Sequence, residues 1–169
     1  MPDSLGHRLK IGVIVPSTNT VVQPEFAAMQ PAGVTNHVSR IAIPDVKLGS
    51  DNDFIAHIER MRAGIDEAIE RVMTCHPDYI VNALSLEAFW EGLQGSLDML
   101  ERLEKKFSTK ISMGNNAILA ALKKVGGIKK IALITPHKPL GDERVRRFFS
   151  EAGYDITDLH SFNVNMPAE

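Results

Sequence analysis

The sequence holds a single cysteine, Cys75, among 169 residues. No intrachain disulfide can form, and a reducing compartment fits that usage. Neither sign of charge dominates: 19 Lys and Arg against 21 Asp and Glu leave a formal net charge of −2. The basic residues are scattered, whereas phosphate neutralisation needs clustered cations. Nucleic acid is therefore not the expected partner. No apolar run approaches the roughly 20 residues that a bilayer span requires. The polar start, Met1 to Lys10, lacks an apolar signal core. The expectation is a cytoplasmic protein with no membrane partner. Two glycine-rich phosphate loops, GxGxxG and GxxxxGK followed by Ser or Thr, are also missing, which counts against a nucleotide- or flavin-binding domain. The histidines at 7, 37, 57, 76 and 160 show no metal-ligand spacing. Neither a metal nor a cofactor is expected.

What is present is an alternation of strands and helices. Leu9 to Val15 is a short, β-branched apolar run ending at Pro16, which reads as a buried strand. A helix is expected around Pro24 to Met29, a strand over Val34 to Ile43, and a helix over Asp51 to Thr74. That helix places Phe54, Ile58, Met61, Ile65, Ala68, Ile69 and Val72 on one face, with Asp51 or Asn52 able to cap it. Further strands are expected at Asp78 to Leu84, Lys110 to Met113, Lys130 to Thr135 and Tyr154 to Phe162. Helices are expected at Leu93 to Phe107, Asn115 to Val125 and Leu140 to Ala152, with Ser85 to Gly92 as a loop or first turn. Such alternation means βαβ units and a mainly parallel sheet. The segments around Ile11–Val15 and Ile131–Thr135 share one pattern of apolar strand, proline, polar loop and helix. The expected class is therefore α/β, with two Rossmann-like halves in a pseudo-twofold arrangement, residues 1–112 and 113–169, the second half incomplete.

In parallel sheets a ligand sits beyond the carboxyl ends of the strands. The loops there are Pro16–Thr20, Ser85–Trp90 and Thr135–Lys138, with the turn at Asn115 and Asn116 as a fourth. Pro16-Ser-Thr-Asn-Thr20 offers hydroxyls, an amide and backbone N–H groups, a neutral cradle for a carboxylate. The same residues also suit a plain cap and turn.

Four segments carry a family resemblance: IGVIVPSTNTVVQPEF, GVTNHVSRIAIP, PDYIVNALSLEAFWEG and KKIALITPH. In this order they resemble the aspartate/glutamate racemase superfamily, in its maleate isomerase and arylmalonate decarboxylase branch, over roughly Lys10 to Phe162. The resemblance implies a cofactor-independent isomerase, racemase or decarboxylase acting on a small dicarboxylate or α-substituted carboxylic acid. It implies that Ser17, Asn19 and Ser85 hold carboxylate and that the Thr135 loop contacts substrate. That family works with two cysteines on opposite faces of the substrate, thiolates being both nucleophilic and titratable near neutrality. This chain departs from the pattern at both. Leu84 stands at the first cysteine position, a loss the decarboxylases share, and the segment that carries the second is missing. Leu86 stands at a hydroxyl position and offers only its backbone N–H.

Proton chemistry then falls to two other residues. His137 replaces a tyrosine that binds substrate and titrates near neutral pH. Glu87 could act as acid or base if burial near Phe89 and Trp90 raised its pKa. Each has a plainer reading, as polar loop surface and as a carboxylate at a helix start. Cys75, before the third strand, reads as a structural thiol. A half lacking its last elements should expose apolar surface, so a fragment, a homo-oligomer or a poorly stable chain is expected. The rival function is a non-catalytic carboxylate binder or truncated remnant.

Overall fold

The structure is a computed structural model that describes residues 3–44 and 49–162. The last seven residues of the expected second half therefore lie outside the described residues. Among the described residues six strands and six helices follow one another, and all strand pairs are parallel. The strands are β1 (Leu9–Pro16), β2 (Val34–Ile41), β3 (Tyr79–Asn82), β4 (Lys110–Met113), β5 (Lys130–Thr135) and β6 (Asp155–Ser161). The helices are α1 (Val22–Met29), α2 (Asp51–Met73), α3 (Leu86–Phe89), α4 (Gly92–Phe107), α5 (Gly114–Val125) and α6 (Pro139–Glu151). A four-stranded sheet has the order β2-β1-β3-β4, and β5 pairs with β6 in a second sheet. No helix is long and apolar enough to cross a membrane among the described residues.

The expected α/β class is observed, with local differences. The loop after β3 contains the four-residue helix α3, too short to show a helical period. The ladder of β3 covers only Tyr79–Asn82. Asp78 and Ala83 flank it with single bonds, Asp78 N–H to Lys10 O and Ala83 N–H to Ile14 O. The cap of α2 is Ser50, one residue earlier than Asp51. Its hydroxyl accepts from Asp53 N–H while the Asp53 carboxylate accepts from Ser50 N–H at 2.9 Å, a closed capping box.

Two apolar clusters hold the molecule. In the first, Ile14, Ile80, Ile111 and Met113 from the large sheet meet Met61, Ile65, Ala68, Ile69 and Val72 of α2 and Met99 and Leu103 of α4. The stripe expected on α2 is buried along its whole length. Gly12 lets this packing close, because a Cβ there would lie 2.5 Å from the Ile80 side chain. The second cluster is aromatic. Phe89, Phe148 and Phe149 stack with ring centroids 5.0 to 5.9 Å apart, and Phe54, Ile58, Leu86 and Val145 surround them. It ties α6 to α2 and α3.

Candidate functional site

A cavity of about 320 Å³ runs along β5 and reaches the loops that follow β3 and β5. Its walls are apolar: Phe89 from α3, Ile118 and Leu122 from α5, Ile131, Ala132, Leu133 and Ile134 from β5, and Val145 and Phe149 from α6. Its polar groups are Ser85, Thr135 and His137, so three of the residues singled out in the sequence come together here. Ser85 is exposed, precedes α3 and makes no capping bond with its side chain. Its hydroxyl is open to a ligand. The Thr135 hydroxyl instead donates to Asp142 at the start of α6. His137 is anchored through its carbonyl, which accepts from Ser161 Oγ. Burial holds its imidazole below the ordinary value, and nearby Asp142 partly opposes that shift. His137 is the single titratable side chain lining the cavity among the described residues. Gly141 fixes its seat: a Cβ there would meet His137 Cβ at 2.8 Å and Leu86 Cδ2 at 3.0 Å.

Leu86 and Glu87 are buried in α3 and line no part of this cavity. The Leu86 side chain belongs to the aromatic cluster. Glu87 is 5% exposed, and its pKa is pushed up to about 7. Burial is the main cause. Its own backbone N–H, the Arg62 charge and the Ser85 N–H pull the other way.

Ser17 and Asn19 lie on the loop after β1. This loop is beside the start of the β3 loop, since β1 and β3 are paired neighbours. Both side chains have structural partners. Ser17 Oγ accepts from Ile43 N–H at 2.8 Å. Asn19 Oδ1 accepts from Val21 and Val22 N–H at 3.0 and 2.8 Å, capping α1. The Asn19 amide nitrogen has no partner among the described residues. Asn115 is a fully buried residue whose amide donates to Ala88 O (2.7 Å) and Ser96 Oγ (2.5 Å), clamping α3 against α4 and α5. The sequence marked its turn, but not that inward role. Cys75 lies at the opposite, amino-end edge of the sheet, beside the start of β1, where its carbonyl accepts from Lys10 Nζ at 2.9 Å.

No described cluster of His, Cys, Asp or Glu could hold a metal ion.

The fold is that of a known class: the chain has the fold of maleate isomerases and arylmalonate decarboxylases. The maleate cis-trans isomerase of Nocardia farcinica, solved with TRIS, matches with a TM-score of 0.82 at 18% identity, covering 95% of this chain and 65% of that one. A cysteine-to-alanine variant of the maleate isomerase Iso from Pseudomonas putida S16, solved with maleate, matches at 0.81 and 20%, covering 95% and 66%. A liganded double mutant of arylmalonate decarboxylase matches at 0.76 and 18%, covering 94% and 63%. The chain thus spans just under two thirds of the length of these structures. No protein-family model matches the sequence, and no curated protein matches it.

Proposed function

We propose that this protein binds a small dicarboxylate or α-substituted carboxylic acid and processes it without a cofactor, in the manner of the isomerases, racemases and decarboxylases that share its fold. The observation that carries the reading is the cavity itself, apolar on most sides, with an open Ser85 hydroxyl and one titratable side chain, His137, at its polar end. A carboxylate accepts from the Ser85 hydroxyl, while an apolar substituent enters the wall formed by Phe89, Ile118 and Leu122.

A single titratable side chain in the cavity wall among the described residues favours one of these reactions. Racemisation needs a proton removed on one face and delivered on the other. Thiol addition needs a nucleophile, and Cys75 is at the far edge of the sheet. Decarboxylation of a malonate-type acid needs a single proton. The bond between the α-carbon and one carboxylate breaks and carbon dioxide leaves. The electron pair delocalises onto the remaining carboxylate, and protonated His137 delivers a proton to the α-carbon. Donation requires imidazolium, so turnover should decline as pH rises through a pKa that burial holds below 6.5.

Proton NMR of the protein incubated with phenylmalonate or maleate in D₂O tests this. Loss of phenylmalonate with deuterium at the product's α-carbon is the expected result. His137→Gln should slow it by about 10²- to 10⁴-fold while leaving binding intact. Undiminished turnover in that variant would remove His137 from the chemistry. The second reading is a carboxylate binder without turnover. The engagement of the Thr135 hydroxyl with Asp142 favours it, because that hydroxyl is not free to assist a reaction. Calorimetric binding with no consumption of either acid would establish it, and no binding of either acid would sink both readings.

A further inference from the structure

The loop after β1 rests on an arginine that forms no ion pair among the described residues. Arg40, near the end of β2, points Nη1 at the carbonyl oxygens of Asn19 (2.8 Å), Pro16 and Ser17 (3.4 Å each), and Nη2 at Gln23 Oε1 (2.9 Å). None of the ion pairs among the described residues includes it. The register puts it there, since Pro16 pairs with Ile41 across the β1–β2 ladder.

Peptide planarity gives this contact a direction. The chain has no cis peptide among the described residues. In a trans peptide the C=O of one residue and the N–H of the next point opposite ways. Drawing the Ser17 and Asn19 carbonyls toward Arg40 therefore turns the N–H groups of Thr18 and Thr20 away from it. Neither has a hydrogen-bond partner among the described residues, whereas the Ser17 and Asn19 N–H groups are bonded to Ile41 O and Pro16 O. With its oxygen on α1, Asn19 presents its amide nitrogen as a third donor.

We propose that Arg40 is a positioning residue for a carboxylate bound on this loop, held by the Thr18 and Thr20 N–H groups and the Asn19 amide. This rests on the carboxylate-binding reading above and takes the donors on the β1 loop to be two backbone N–H groups and the Asn19 amide, in place of the Ser17 hydroxyl. The guanidinium orients the loop dipoles from behind and adds a positive charge. A planar fork of donors can hold several carbonyls at once, and a lysine ammonium cannot hold the same set in one plane.

The test is a titration of ¹⁵N-labelled protein with sodium acetate at constant ionic strength, following the Thr18 and Thr20 amide signals. Saturable shifts of both are expected in the native sequence. Arg40→Gln should weaken that response about tenfold, and Arg40→Lys, which keeps the charge, should recover part of it. A thermal melt of each variant reports folding. If the Gln variant fails to fold, Arg40→Lys carries the test, and native affinity in it overturns the orienting role. Unmoved Thr18 and Thr20 amides in the native protein overturn the inference, as does an Arg40→Gln variant that responds like the native one. Acetate shifts without any turnover of phenylmalonate would sink the catalytic reading and leave Arg40 in place.

Discussion

β1 and β5 read alike as sequence, each an apolar strand, a proline, a polar loop and a helix. Their surroundings differ. β1 has a parallel neighbour on both edges, and Val13, Ile14 and Val15 are wholly buried. Among the described residues β5 pairs with β6 alone, and Ile134 is 75% exposed. The same contrast runs through the helices. α2 buries a continuous stripe, whereas α5, with Ile118 and Val125 exposed, buries only Asn115. A local pattern specifies a strand or an amphipathic helix. How much of it is covered depends on which elements arrive later in space.

Four substitutions sharpen or break that contrast, each read as the midpoint of urea unfolding at constant slope. Phe148→Ala should cost most, about 4 kcal/mol, since this fully buried ring joins α6 to Phe89 and Phe149. Ile14→Ala should cost about 3 kcal/mol, as expected for a large-to-small change in a filled core. The matched change on the other strand, Ile134→Ala, should cost less than about 0.5 kcal/mol because its side chain is already in water. Equal losses at Ile14 and Ile134 would mean that β5 is covered in solution. Ser50→Ala, which opens the capping box of α2, falls between them at about 1 kcal/mol.

Glu87→Gln adds a pH axis. The native-state pKa of Glu87 is raised to about 7 against 4.5 for an open carboxylate. Between those values the folded protein holds a proton that the unfolded chain releases. Native stability should therefore fall as pH rises from about 4.5 to about 7, by roughly 3 kcal/mol, then level off. The Gln variant should lose that slope and be the more stable protein above pH 7. An identical slope in both proteins would place Glu87 in water.

Much of the fold was legible because it rests on period and punctuation. β4 and β5 have the bounds that their apolar runs suggest, and α5 ends at Gly126 as expected. The features missed were short or non-local. α3 has four residues, and the cap of α2 was misplaced by one because Ser50, Asp51 and Asn52 all have capping chemistry. The candidate site was legible as a set of loops, since Ser85, Thr135 and His137 each follow a strand. The engagement of the Ser17 and Thr135 side chains was not, because Ile43 and Asp142 are partners only once the chain is folded. Nor was Arg40. Nothing within twenty residues of the β1 loop singles it out until β1 and β2 are laid side by side.

The far-edge position of Cys75 has a practical consequence. A maleimide or gold surface would capture this protein at one point alone, because the sequence has one thiol. The eight residues of β1 separate that edge from the loop after Pro16 by roughly 23 Å of strand. A tethered layer would therefore have a single orientation, with Cys75 toward the support and the loops of β1, β3 and β5 toward the flowing solution.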